Sequence, residues 1–145
     1  MANWFLRVSC ALAVVVLVSN GVFAKATKIV TAKQVNGTWE NKSGSIKIWA
    51  LGKQKLQVEY AGFYEYESAD GLMANTGEGK GIALITGDTA VFKPEDAEEE
   101  CKITMTFKKA SLTVEQEGVC GFGLNVSAAG KYHKTSNKKP KFGDQ

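Results

Sequence analysis

The sequence predicts an all-β protein: one eight-stranded antiparallel up-and-down barrel, closed on itself and stapled by a single disulfide. Three observations carry this. Apolar and polar residues alternate with period two over most of residues 37–135, short turn-forming clusters separate those runs, and two cysteines remain once an N-terminal leader is set aside. No stretch of 12 residues after the leader has a helical period.

The leader comes first. Arg7 precedes an unbroken apolar run, residues 10–18 (CALAVVVLV), and Ser19-Asn20-Gly21 then breaks the pattern. Val22 and Ala24 supply acceptable residues at −3 and −1 of a cleavage point before Lys25. The run is too short to cross a bilayer comfortably, so residues 1–24 read as a secretory signal peptide and not as an anchor. Arg7 stands where a lipobox needs an aliphatic residue ahead of Cys10, which argues against a lipoprotein. The expected location is periplasmic or secreted, with no membrane association after cleavage. Residues 25–35 are a lead-in, 36–135 the barrel, and 136–145 (SNKKPKFGDQ) a flexible basic tail.

The strands follow in order. Residues 37–41 open the barrel. Residues 45–51 (SIKIWAL) place Ile46, Ile48 and Ala50 on one face and Lys47 and Trp49 on the other. Residues 56–67 place Leu56, Val58, Tyr60, Gly62, Tyr64 and Tyr66 together against a face containing Glu59, Phe63, Glu65 and Glu67. Residues 77–86 carry Gly77, Gly79, Gly81 and Ala83 at every second position, so large rings on the preceding strand can lie beside glycines that leave them room. The expectation is that Tyr60, Tyr64 and Tyr66 fill the interior, because an eight-stranded barrel is just wide enough for side chains or one small ligand. Residues 89–93 and two arms, 101–108 and 112–115, come next, and residues 127–135 end the barrel. Separators at 41–44, 51–52, 68–71 and 87–88 carry Asn, Ser, Asp and Gly, the residues that tight turns favour.

Cys101 and Cys120 flank the hairpin made by the two arms. With the turn at Ala110-Ser111 they would face each other directly, and with the turn one residue earlier they would be offset but within reach. In an exported protein the pair reads as a structural disulfide, worth about 3 kcal/mol in the chain-entropy account. It lacks the CxxC spacing of redox pairs.

Much chemistry is missing. Arg7 is the only arginine, so the mature chain relies on lysine for its positive charge against 15 Asp+Glu, and nucleic-acid recognition is not expected. His133 is the single histidine. With no second histidine or free cysteine, a nucleophile–base pair or metal site has few parts, and the chain is expected to be non-catalytic, with no cofactor and no metal. Residues 77–81 (GEGKG) lack the Ser or Thr after Gly-Lys that a phosphate loop needs. Residues 95–100 (EDAEEE), following Pro94, form an acidic loop that can keep the protein soluble or dock a basic partner. Asn36, Asn41 and Asn125 open glycosylation sequons, meaningful in a eukaryotic host.

Several of these residues resemble small secreted bacterial β-barrels of the lysozyme-inhibitor and lipocalin-like kind. Gly37-Thr38-Trp39 resembles the Gly-x-Trp opening of lipocalins, in which the Trp closes the barrel's base. Residues 92–136 resemble a recurring, uncharacterised bacterial secreted domain, and residues 127–132 (SAAGKY) resemble the Ser- and Gly-containing motif that periplasmic lysozyme inhibitors insert into the enzyme's cleft. The resemblance implies a binding protein, such as an inhibitor of a basic cell-wall hydrolase like lysozyme. Its candidate contacts are Glu98, Glu99, Glu100, Ser127, Lys131 and Tyr132. The alternative is a small carrier holding an apolar ligand near Trp39, Tyr60, Tyr64 and Tyr66.

Overall fold

Alternation carries the chain into eight strands in the computed structural model, which describes residues 29–143. The expected signal peptide and residues 25–28 lie outside the described residues. The strands are β1 (Gly37–Asn41), β2 (Gly44–Gly52), β3 (Lys55–Ser68), β4 (Gly71–Thr86), β5 (Thr89–Phe92), β6 (Lys102–Lys108), β7 (Ser111–Glu117) and β8 (Gly130–Ser136). Each pairs antiparallel with its neighbour in sequence, and β8 returns to pair with β1. The barrel is closed, with every strand pairing a neighbour on each side.

The lead-in contains one element that periodicity could not reveal, a single-turn helix α1 (Ala32–Val35). The Gln34 side-chain oxygen reaches back to accept from the Thr31 backbone N–H at 2.8 Å, as in a capping box. One turn is too short to leave a 3.6-residue pattern, and tertiary contacts hold it. Val35 is buried, and its carbonyl accepts from the Trp39 indole N–H at 2.9 Å. Trp39 meets Phe107 edge-to-face at 5.8 Å, closing the base of the barrel.

Inward-facing residues of every strand form one core. Its largest members are Trp39, Tyr60, Phe92, Phe107, Ile46, Ile48 and Met105. The expected faces of β2 hold, with Ile46 and Ile48 buried and Lys47 turned outward to pair with Glu59.

Turn geometry sets the registers. Lys53 and Gln54, between Gly52 and Lys55, both have positive φ (49° and 61°), the left-handed pair that a two-residue hairpin needs and that Asn-Gly usually supplies. The β6–β7 turn is Lys109-Ala110, the earlier of the two expected placements, with Lys108 opposite Ser111. Cys101 therefore lies just before β6, and Cys120 lies beyond the end of β7. Gly118, at φ +71°, turns the chain so that the two meet in a disulfide with Cα atoms 4.9 Å apart. A side chain at Gly118 would strike the Glu100 carbonyl oxygen, 2.4 Å from where its Cβ would stand.

Two expectations change. β4 starts at Gly71 and not at Gly77, because Ser68 pairs directly with Gly71 and the β3–β4 register then runs unbroken. The β2–β3 ladder, by contrast, stops at Gly44 opposite Gly62. The Phe63 N–H still donates to the Ser43 carbonyl at 2.9 Å, and residues 64–75 stand beyond the barrel rim as a two-stranded ribbon. Tyr64 and Tyr66, expected in the core, lie on that ribbon and are 42% and 38% exposed, whereas Tyr60 is buried. Residues 136–143 of the C-terminal tail lie along the outside of the barrel. Lys139 sits over the Trp49 ring at 5.6 Å, and the Gly143 N–H donates to Glu59 at 2.6 Å.

Candidate functional site

An up-and-down barrel sends alternate connections to opposite ends, which sorts the candidate residues. One end holds the β1–β2 turn, the β3–β4 ribbon, the acidic β5–β6 connection (residues 93–101) and the β7–β8 connection (residues 118–129). The other end holds the short turns at Lys53-Gln54, Gly87-Asp88 and Lys109-Ala110. Charge follows this division. The first end exposes Glu65, Glu67 and Asp70 on the ribbon, Glu78 on β4 below it, and Glu95, Asp96, Glu98, Glu99 and Glu100 on the acidic connection, against Lys42 and Lys93. The second exposes Lys53, Lys55, Lys108 and Lys109. Such a division gives the molecule an acidic pole.

The Cys101–Cys120 bridge ties the acidic connection to the β7–β8 connection at that pole. Pro94 is buried, and the Glu95 N–H donates to the Lys80 carbonyl at 2.9 Å, so the acidic run starts from a fixed point on β4. Glu98, Glu99 and Glu100 are exposed.

Glycines in β4 make room for a plug. Phe122, from the β7–β8 connection, packs against Tyr60 with ring centroids 4.6 Å apart. A Cβ on Gly79 would fall 2.6 Å from the Phe122 ring, and one on Gly77 would fall 1.9 Å from its carbonyl oxygen. The expectation that rings lie beside these glycines holds for Tyr60, which pairs with Gly79, but the space itself is taken by Phe122. Phe122 closes the barrel at this end as Trp39 closes it at the other.

Tyr60 and Tyr132 act as struts beneath the Ser127 segment. The Tyr60 hydroxyl donates to the Ser127 carbonyl at 2.9 Å, and the Tyr132 hydroxyl donates to the Ala128 carbonyl at 2.8 Å. Burial pushes the Tyr60 phenol up to about 12 and raises that of Tyr132 as well, with the neighbouring Tyr60 adding to the latter. Gln116 holds the same segment from the side, its Oε1 accepting from the Ala128 N–H at 2.9 Å. Ser127 is exposed and its hydroxyl lies 3.3 Å from Gln116 Oε1, while its oxygen accepts from the Ala129 N–H at 3.2 Å. Lys131 is exposed on β8.

The structure therefore brings Glu98, Glu99, Glu100 and Ser127 to one pole, with Lys131 near it, and places Tyr132 differently. Tyr132 is 2% exposed, so its ring supports the segment from inside and offers no contact surface. The four candidate ligand contacts separate in the same way: Trp39 and Tyr60 are packed in the core, and Tyr64 and Tyr66 stand on the ribbon. His133 is exposed on β8. Of the sequon residues, Asn36 accepts from the Ala50 N–H and Asn41 from the Ser43 N–H, while Asn125 is exposed.

Sequence reasoning missed the apolar surface of the pole. Phe63, Leu72, Met73 and Leu124 are all exposed there. The signal was present, since Leu72-Met73 directly follows Gly71 and continues the strand. The chain matches no family model, no curated protein and no solved structure.

Proposed function

We propose that this chain is an exported, non-catalytic binding protein that captures a basic protein at the acidic pole of its barrel, in the manner of an inhibitor of a basic cell-wall hydrolase such as lysozyme. One observation carries the reading: five carboxylates, Glu95, Asp96, Glu98, Glu99 and Glu100, sit on a connection anchored by Pro94 at one end and the disulfide at the other. An anchored loop loses less entropy on docking than a free one, so more of its contact energy reaches affinity. Export follows from the leader pattern of residues 1–24 and fits the disulfide.

The carrier alternative needs a hollow beside Trp39 and Tyr60. Packing there, with Phe122 over Tyr60 and Phe107 against Trp39, weighs against it. An apolar depression of about 470 Å³ beside α1, lined by Val30, Val35, Ala50, Leu56 and Ile85, is a separate hollow of a size for a small apolar ligand.

The test is inhibition and binding of purified c-type, g-type and i-type lysozymes, with Glu98→Gln, Glu99→Gln and Glu100→Gln combined in one variant. Wild-type binding that weakens with salt, and drops about tenfold or more in the variant, is the expected result. Absence of binding to every one of these hydrolases would overturn the hydrolase reading.

A further inference from the structure

We propose that the β3–β4 ribbon is the docking element of the acidic pole, and that the face bearing Tyr64, Tyr66 and Met73, with Leu124 beside it, anchors a basic protein through that protein's exposed apolar side chains. The proposal deepens the reading above and rests on it for the partner's charge.

The ribbon contributes nothing to the barrel core. Beyond Gly62 its β3 strand has no ladder partner except β4, and β4 as far as Ala83 has none except β3, so both backbone edges of residues 64–75 are open to pairing. Natural edges are usually blunted by lysine, proline or a bulge. This ribbon has none of these: no lysine lies between Lys55 and Lys80, no proline lies within it, and its register from Lys55 to Gly71 is unbroken.

Tyr64 pairs with Asn75 and Tyr66 with Met73, which places two phenol rings and a thioether on one face. Asn75 donates its amide to the Leu124 carbonyl at 2.8 Å, bringing Leu124, 74% exposed, to the same face. That contact, and the close approach of Phe122 to Gly77 and Gly79, hold the ribbon's base against the disulfide-tied connections. Tyrosine and methionine are enriched where proteins meet, since each covers a large area with few torsions to freeze or adapts its shape to the partner.

Charge selects the occupant. Glu65 and Glu67 line the opposite face of the same two-stranded ribbon, Asp70 stands in its turn, and the acidic connection lies at its base, so the ribbon as a whole is anionic. A second copy would bring these carboxylates against their own kind, and an anionic bilayer would repel them. A basic protein meets both requirements.

The test separates the two proposals. A random peptide library displayed on phage is panned against the full mature protein and against a Tyr64→Ser/Tyr66→Ser/Met73→Ser variant whose folding is checked by its melting temperature. A Leu72→Ser variant, altered on the opposite face, serves as the control. The expected result is enrichment of cationic peptides with aromatic or aliphatic residues, whose affinity falls about tenfold or more in the triple variant and not in the control. No enrichment, or enriched peptides that bind the triple variant as well as wild type, would overturn the ribbon. Sedimentation showing a wild-type dimer that the triple variant loses, or wild-type binding to phosphatidylglycerol vesicles that it loses, would overturn the basic-protein occupant. Lysozyme binding that survives the triple variant leaves the hydrolase reading standing and the ribbon refuted. Ribbon-dependent peptides without lysozyme binding give the reverse.

Discussion

The Lys134 ammonium lies 4.7 Å from the centre of the Trp39 ring while donating to three backbone carbonyls, those of Lys33, Gln34 and Asn36, at 3.0, 2.7 and 3.0 Å. Two of the carbonyls belong to α1, where the last turn leaves acceptors unsatisfied, and a cation at a helix C-terminus also answers the helix dipole. Lys134 thus locks the one-turn helix onto the tryptophan that closes the barrel's base. Burial draws its pKa down from the ordinary lysine value.

Replacing Lys134 with Met keeps the aliphatic stem over Trp39 and removes all three hydrogen bonds and the cation–π contact. The expected cost is about 1–3 kcal/mol, from charge-assisted bonds in a half-buried site. Urea unfolding of wild type and Lys134→Met measures it. Hydrogen exchange should show earlier opening at α1, as measured at the Asn36 amide that donates to Ala32. A loss under a few tenths of a kcal/mol would mean that the contacts are solvated equivalents.

The glycine row of β4 gives a graded series. Gly79→Val must push aside the Phe122 ring and Pro94, whose nearest atoms lie 2.6 and 3.1 Å from the new Cβ, and overpacking of this kind costs about 1–3 kcal/mol. Gly77→Ala meets backbone at 1.9 Å, which cannot swing away as a side chain can, so its cost should exceed that of Gly79→Ala. Gly81→Val meets its first neighbour, the Lys93 carbonyl oxygen, at 3.1 Å, so the contact is the loosest of the three, and its cost should come from the positive φ of 158° that a β-branched residue adopts poorly. Thermal melts of these variants give the order, and a flat series would show that the β7–β8 connection shifts freely.

These glycines also mark how far the sequence could be read. Alternation placed all eight strands and both faces of β2, because a period-two pattern records burial directly, and the two cysteines left one pairing to make. Tyr64 and Tyr66 were read into the core because alternation says which residues share a face, not where the neighbouring strand ends. The β2–β3 ladder stops at Gly62, and beyond it the same face meets solvent. Phe122 left no signal in the alternation, since a plug is defined by the hole it fills, and Gly77 and Gly79 lie more than forty residues earlier in the chain. Tyr132 was placed in a contact motif, but its position on β8 opposite Leu112 turns the ring inward.

Alkaline pH should unfold the protein through its two struts. Tyr60 holds its proton up to about 12 in the folded state, against an ordinary value near 10, and Tyr132 is raised in the same direction. Above about pH 10 the unfolded chain releases these protons and the folded chain keeps them, so the folded state binds more protons and stability falls as pH rises. The contribution is whole below the unfolded value and is lost as pH climbs toward the folded ones. Each tyrosine contributes a slope of up to about 1.4 kcal/mol per pH unit in that window. Urea midpoints between pH 8 and 12 should therefore stay level and then drop, and Tyr60→Phe should remove part of the drop. The same substitution frees the Ser127 carbonyl, at a cost of about 0.5–1.5 kcal/mol at every pH. The variant is then less stable than wild type at pH 8 and loses less on going to pH 11. Parallel curves for the two proteins would mean that Tyr60 ionises in the folded state as readily as in the unfolded one, and that the Ser127 segment moves aside to hydrate it.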